Sequence, residues 1–443
     1  MSTDTKILEK IHKAGVAGAG GAGFPAAVKL DCRAEYVIAN GAECEPLLQV
    51  DKQLMEIKAK EIIEGLVMAM DAVGANEGVL FLKEHYHKAA DALRKEIGRK
   101  KNIRLFLSKS YYPVGDEQQI IYEVTRRTVP PGGLLKDIGC VVCNVSTLRD
   151  IARAAAGIPV TERYITVAGA VKNPKTLLMP IGAPMEILPE LSGGQIGTGS
   201  TGNMYIIGGP CMGELTDTLS DKVVTKTTGG LLVIPKNHPL CLKKSADIRL
   251  KSMLSVCCQC SMCTYMCPRH ALGLGTSPHL AMRSILSGKD LFRKVNAILT
   301  CCDCGICTYQ ACNFGLNPAL IMSKMKQEML QNGIKPKREE ANPADPHIDY
   351  KRLATSRLIA RLGIQKYDVP APMDNEIAMV SNVKIPLKMH IGAKSIPIVK
   401  KGERVERGTP IAKPPQNALG VFIHASIGGV VTEITGEYIE INA

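Results

Sequence analysis

The chain contains no tryptophan and only six phenylalanines in 443 residues. So thin an aromatic supply argues against recognition of single-stranded nucleic acid on stacking platforms. No stretch approaches the roughly 18 consecutive apolar residues of a spanning helix, which predicts a protein that does not itself cross a membrane. The first ten residues (MSTDTKILEK) are polar and helix-like, without the apolar core of a secretory leader, and this predicts a cytoplasmic location. No nucleophile, histidine and acid fall into a hydrolytic pattern. The 45% hydrophobic and 22% charged composition is that of globular domains, and at roughly 150 residues per domain the length suggests three or four of them.

The surplus lies in cysteine (16), glycine (41) and positive charge (net +13). A basic surface suits an acidic redox partner or nucleotide phosphates as well as nucleic acid, and nucleic acid is the weakest of these readings here. In a reducing compartment, clustered cysteine means metal or redox chemistry before disulfides. Cys257, Cys260, Cys263 and Cys267 form C-x₂-C-x₂-C-x₃-C followed by Pro268, the bacterial ferredoxin run. Cys301, Cys304, Cys307 and Cys312 repeat it with one extra residue before the last cysteine. A cysteine at every third position lets a short loop hold three corners of a cubane, while the fourth cysteine reaches the other cluster. The expected ligand sets are therefore Cys257, Cys260, Cys263 with Cys312, and Cys301, Cys304, Cys307 with Cys267. Zinc is the competing reading, although it prefers paired C-x₂-C knuckles to triple runs. Cys258 and Cys302 sit beside ligands and read as buried spectator thiols.

The organisation expected along the chain is α/β, then β-rich, then cysteine-rich and helical, then β. Residues 1–160 alternate apolar strands (Glu35–Ala39, Val79–Leu82, Ile103–Leu107) with helical spacing at Ile62–Met70 and His87–Ile97, the pattern of a parallel sheet with crossover helices. Residues 161–240 carry short strands (Tyr164–Val171, Met204–Ile207, Leu231–Ile234) between Gly-rich turns, with one helix near Met185–Leu191. Residues 241–335 hold both cysteine runs and helices expected at His279–Leu286, Leu291–Leu299 and Pro318–Leu330. Residues 336–379, rich in proline and charge, read as a linker with one basic helix near Lys351–Leu362, and 380–443 as a compact β domain.

Four loops in the first domain carry ligand-binding character. Gly18, Gly20, Gly21 and Gly23 precede Phe24, with Lys29 beyond; glycine lets backbone N–H groups approach a phosphate or a flat ring. No strand runs directly into this loop and no Gly-Lys-Ser/Thr follows, so it is neither a Rossmann fingerprint nor a Walker loop. Asn40 to Pro46 follows a strand, where open α/β sheets bind ligands. Tyr112 to Glu117 and Cys143 to Thr147 open helices whose N-termini favour anions.

GAGGAGFPAAVK, ANGAECEP, YPVGDEQQ and CNVSTLRD occur in this order in the flavin subunit of respiratory complex I. The whole set resembles more closely the Rnf C-subunit-like family of iron–sulfur flavoproteins. The resemblance covers nearly everything outside the linker. It implies a complex I flavin-subunit-like α/β domain, an SLBB β-grasp domain (from YITVAGAVKNPKTLLMPIG), a ferredoxin-like helical domain with two [4Fe–4S] clusters and a C-terminal barrel-sandwich hybrid. That last module comes first in Rnf subunits. Its position here resembles the cobalamin reductases of propanediol-utilisation microcompartments and the electron-transfer protein of proline reductase.

The resemblance also implies an FMN site at Lys29, Asn40, Glu43, Gly115, Glu117, Asn144 and Thr147, and an NADH site lined by Phe24 and Glu45. Ala19, Ala42 and Asp116 depart from the family pattern, where an Arg, an Asp and a second Gly stand. The activity implied is NADH-dependent reduction of cob(III/II)alamin through FMN and the clusters, in the cytoplasm or a microcompartment, with an adenosyltransferase among the expected partners. The alternative is an electron carrier serving a partner such as proline reductase, without its own NADH oxidation. Glu43 and Glu45 read as nucleotide-site residues, with pairing to Lys29 or Lys52 the competing account. Lys388-Met389 lies too near its domain's start for a biotinyl lysine. His270, His279, His390 and His424 read as packed or surface residues.

Overall fold

Parallel strands Ile103–Ser108, Glu77–Lys83, Tyr36–Asn40 and Cys140–Asn144 form the first sheet, in that order. The structure is a computed structural model describing residues 3–196, 202–245, 253, 255–287 and 294–443. The two inner strands and the edge strand Cys140–Asn144 are buried along nearly their whole length, as strands covered by helices on both faces must be. Helices Ala59–Val73 and Val145–Ala155 cross so closely that a Cβ on Gly65 would lie 1.9 Å from the Leu148 carbonyl oxygen. From Tyr36–Asn40 the chain moves outward to Glu77–Lys83 on one side and ends at Cys140–Asn144 on the other. The carboxyl ends at Asn40 and Asn144 therefore flank the crevice where such sheets take ligands.

The second sheet has six strands. Glu162–Gly169 and Lys175–Pro180 form a hairpin, Gly230–Pro235 runs parallel to the first of these, and Asn203–Ile207 lies antiparallel beside it. Helix Ile187–Leu191 sits between the strand pairs in sequence. The expected linker is in part a strap built onto this sheet. Met373–Ile377 pairs with Lys175–Pro180 as an edge strand, and helix Thr355–Leu362 buries Leu358 and Leu362. Proline and charge density hid this, because an edge strand pairs through its backbone whatever its side chains. Gln53 Nε2 donates to the Ala371 carbonyl at 2.7 Å, which ties the strap to the first domain.

Around the thiol runs, helices Pro278–Ser287 and Pro318–Gln331 pack on each other. Only Asn296–Leu299 of the expected helix 291–299 is helical, and residues 291–293 lie outside the described ones. The C-terminal residues form two small sheets, Asn382–Pro386, Tyr438–Asn442, Gly429–Ile434, Arg404–Val405 and Ile396–Pro397, Pro410–Lys413, Ile423–His424. Their alternate residues Val383, Ile385, Ile439 and Ile441 are fully buried, the period-2 signature of strands around a core.

A buried ionic seam joins three of these units. Glu162 accepts from Arg149 at 3.3 Å, from Arg153 at 2.5 Å and from Arg407 of the C-terminal domain. Asp150 pairs with Arg163, whose Nε donates to the Lys226 carbonyl at 2.6 Å. Among the described residues no helix is long and apolar enough to cross a membrane.

Candidate functional site

The Gly-rich loop is a closed hairpin at the carboxyl edge of the first sheet. Ala17 bridges Pro25, and Gly18 N–H donates to the Phe24 carbonyl at 2.9 Å. Ala19 N–H donates to Thr147 Oγ1 at 2.9 Å, so the loop is laid across the N-terminus of helix Val145–Ala155. Asn144 caps that helix, accepting from Ser146 N–H at 2.7 Å while its amide donates to Asp51 Oδ2 at 2.7 Å. Gly20 is at φ +71°, and a Cβ there would lie 2.9 Å from the Asn144 amide nitrogen. That position needs glycine on both counts. Asn40 Nδ2 donates to the Gly115 carbonyl at 3.0 Å and Asn40 Oδ1 accepts from Ala42 N–H at 3.1 Å, which joins the second and third loops. Phe24 is 37% exposed at the loop's mouth. Behind the loop, Gly23 touches the C-terminal domain, its carbonyl accepting from Ile391 N–H at 3.3 Å.

Lys29 pairs with Glu117 at 2.6 Å, not with Glu43 or Glu45. Burial works against its ammonium, but Glu117 and the Cys143 thiol outweigh burial and hold its pKa above the ordinary lysine value. The acids are held the other way. Burial, then Asp51, pushes Glu43 up to about 8. Burial pushes Asp51 up to about 6, against the hydrogen bonds of Asn144 and Ser146. A carboxyl raised in the folded state stabilises fully below its unfolded value and loses that contribution as pH climbs to the folded one. The melting temperature of the flavin-free protein should therefore fall as pH rises from about 4.5 to about 8. A pH series of thermal melts on Glu43→Gln should show a shallower fall over the same window.

Glu45 faces away from this crevice. It is 9% exposed, with Oε2 accepting Cys211 N–H at 2.8 Å and Oε1 lying 2.9 Å from the Tyr112 hydroxyl. Asp116 turns out to be a joint. It caps helix Glu117–Thr125, accepting from Gln118 N–H at 2.8 Å, and accepts from Arg269 Nε of the cysteine-rich domain at 2.7 Å. Neither Arg269 nor Asp51 carries a local sequence signal, and the motif that begins at Tyr112 gives no sign of its partners, because each acts on a residue far along the chain.

The thiols group as crossed sets. One cavity is lined by Cys257, Cys260, Cys263 and Cys312 together with Cys258, the other by Cys267, Cys301, Cys304 and Cys307 together with Cys302. Gln259 and Ser261 in the first run and Asp303 and Gly305 in the second all have positive φ. Alternating left- and right-handed residues turn successive N–H groups toward one side, a nest for an anionic group. In each run the nest lies between the first and third thiols, so both donor sets fit an anionic cubane. Lys326 Nζ braces the second loop, 2.6 Å from the Cys301 carbonyl and 2.6 Å from Asp303 Oδ2.

The two sets differ in depth. Cys267, Cys304 and Cys307 are buried, whereas Cys260 is exposed and Cys257, Cys263 and Cys312 are half-buried. The spectator thiols are not buried as expected. Cys258 is exposed and Cys302 half-buried, because the first run lies at the surface and the second only partly beneath it. His279 lies on the wall of the first cavity, bonded to Thr264 at 2.7 Å, while His390 and His424 are packed inside.

Comparison with known proteins places the chain among named families. Residues 11–153 match the Nuo51 FMN-binding domain, 256–317 a 4Fe-4S dicluster domain and 371–442 the RnfC barrel sandwich hybrid domain. The chain is 43% identical to cobalamin reductase PduS of Salmonella typhimurium, over 100% of this chain and 97% of that protein. It is 41% identical to the PduS of Citrobacter freundii, over 98% and 96%. One component of the Na(+)-translocating ferredoxin:NAD(+) oxidoreductase complex of Acetobacterium woodii is 37% identical over 60% of this chain and 58% of its own length. FMN and two [4Fe–4S] clusters are thus the cofactors of an iron–sulfur flavoprotein oxidoreductase.

Proposed function

The chain belongs to the family of the PduS cobalamin reductases, and from that premise we propose that it oxidises NADH and reduces cob(III/II)alamin. When bound, the flavin supplies two-electron chemistry and the clusters one-electron chemistry, which joins a hydride donor to a one-electron acceptor. The side chains do the positioning. Ala19 and Thr147 hold the Gly-rich loop over the N-terminus of helix Val145–Ala155, a place for a flavin phosphate. Burial and Asp51 raise the pKa of Glu43, which lessens its repulsion of an anionic ligand. Lys29 keeps its charge beside Glu117, and Phe24 offers an open ring face for a nicotinamide. Asp116 and Arg269 clamp the thiol-bearing domain to the same crevice.

The observation that carries this reading is the junction of the Asn40–Asn144 crevice with the two crossed thiol sets through the Asp116–Arg269 ion pair. The domain limits 1–160, 161–240, 241–335 and 380–443 and the SLBB character of the second sheet belong to the same proposal. So does a place inside a microcompartment, with an adenosyltransferase taking the reduced corrinoid. Under anaerobic stopped flow, one NADH should bleach the flavin and convert two cob(III)alamin to cob(II)alamin, leaving NAD⁺ and a proton.

One observation favours a second reading, an electron carrier for a partner reductase without its own NADH oxidation. The Glu45 carboxyl expected at the NADH site is engaged by Cys211 and Tyr112. Flavin that stays yellow with NADH yet bleaches with dithionite would establish it.

A further inference from the structure

We propose that Tyr112 is a positioning residue for the inner thiol set, acting through the peptide plane between Cys304 and Gly305. The inference rests on the reading that both thiol sets hold clusters. Tyr112 is 1% exposed and heads the fully buried side chains by size. Its short strand Tyr111–Tyr112 is held by Leu353–Ala354 of the strap. Its hydroxyl lies 2.8 Å from the Cys304 carbonyl oxygen and 2.9 Å from Glu45 Oε1. A phenol has one proton and a carbonyl can only accept. The arrangement that satisfies all three groups has the buried Glu45 carboxyl donating to Tyr112 and Tyr112 donating to Cys304. Burial, the largest influence on the Glu45 pKa, raises it in the direction this arrangement needs, against the Cys211 N–H, the Tyr112 hydroxyl and Lys244.

The consequence follows from peptide planarity. In a trans peptide the C=O and the next N–H point in opposite directions. With the Cys304 carbonyl drawn toward Tyr112, the Gly305 N–H is turned the other way, on the side of the nest formed with Asp303. Gly305 lines the cavity of Cys267, Cys301, Cys304 and Cys307. A Cβ on Gly305 would strike the Tyr309 ring at 2.5 Å, so the loop is also held from behind. The matching peptide of the first run, Cys260–Ser261, lies at the surface with Cys260 exposed. Hydrogen bonds to cluster sulfurs and solvent exposure set reduction potential. The tether from Tyr112 therefore acts on one cluster of the two.

The test is an anaerobic redox titration of the holoprotein followed by low-temperature EPR, in wild type, Tyr112→Phe, Cys260→Ala and the double variant. Iron and sulfide are quantified first, and their absence from wild type would sink the cluster reading itself. With clusters present, Tyr112→Phe should move one signal to lower potential and leave the other in place. That signal should be the one surviving Cys260→Ala. Glu45→Gln keeps a donor facing Tyr112, so both potentials should stay at their wild-type values even if Tyr112→Phe fails to fold. The inference is overturned if Tyr112→Phe moves neither signal, moves both equally, or moves the one that Cys260→Ala removes. A Glu45→Gln shift as large as that of Tyr112→Phe overturns it as well.

Discussion

Cys260→Ala and Cys312→Ala made in one chain should leave about half of the iron and inorganic sulfide, roughly four of eight irons per chain, whereas Cys260→Ala with Cys267→Ala should leave almost none. The contrast follows from which thiols share a cavity. Cys260 and Cys312 line one and Cys267 the other, although Cys267 is only seven residues from Cys260 in sequence. Helix Met262–Tyr265 and the turn into Pro268–Ala271 carry Cys267 away from its own run. If each run instead held its own cluster, the two double variants would exchange outcomes, and iron analysis after anaerobic reconstitution would show it. Cys260 is the better target than Cys257, because the exposed Cys258 beside Cys257 is a ready replacement ligand. Flavin content should stay near wild type in both variants, since the proposed flavin residues Asn40, Gly115, Asn144 and Thr147 sit in the other domain.

The contrast between local and long-range constraint also explains what could be read from the sequence. Three thiols proposed to share one cluster must be spaced for one loop, so which thiols share a cavity was legible, and with it the crossing. The parallel sheet was legible because strands covered on both faces are short unbroken apolar runs. The links between sites were not. Asp116 meets Arg269, and Tyr112 meets Glu45 and Cys304, across long separations and without any repeating pattern. Asp116 looked like damage to a glycine motif; in the structure it is a helix cap and one half of a buried ion pair. The strap at Met373–Ile377 escaped for a related reason. MDNEI is a poor strand by composition, and only the waiting edge of the second sheet makes it one.

The glycines of the proposed flavin crevice offer the sharpest separation between folding and binding. Gly115→Ala should weaken FMN binding roughly tenfold to hundredfold and lower the melting temperature, the cost of about 1–3 kcal/mol expected for overpacking. Its Cβ would lie 2.6 Å from the Ala42 carbonyl oxygen and 3.2 Å from the Cys44 sulfur. Backbone cannot step aside as a side chain can, so the Asn40–Glu45 loop must move, and it carries two of the cradle residues. Gly21 is the opposite case. A Cβ there meets nothing within 4 Å, and its φ is ordinary. Gly21→Ala should therefore melt at the wild-type temperature. Among the described residues the new methyl meets none, so it would touch a ligand lying on the loop, and FMN affinity by fluorescence titration should still fall by roughly tenfold, an overpacking cost near the low end of that range. Unchanged affinity in Gly21→Ala beside a loss in Gly115→Ala would move the flavin off the Gly-rich loop and onto the Asn40–Gly115 side of the crevice.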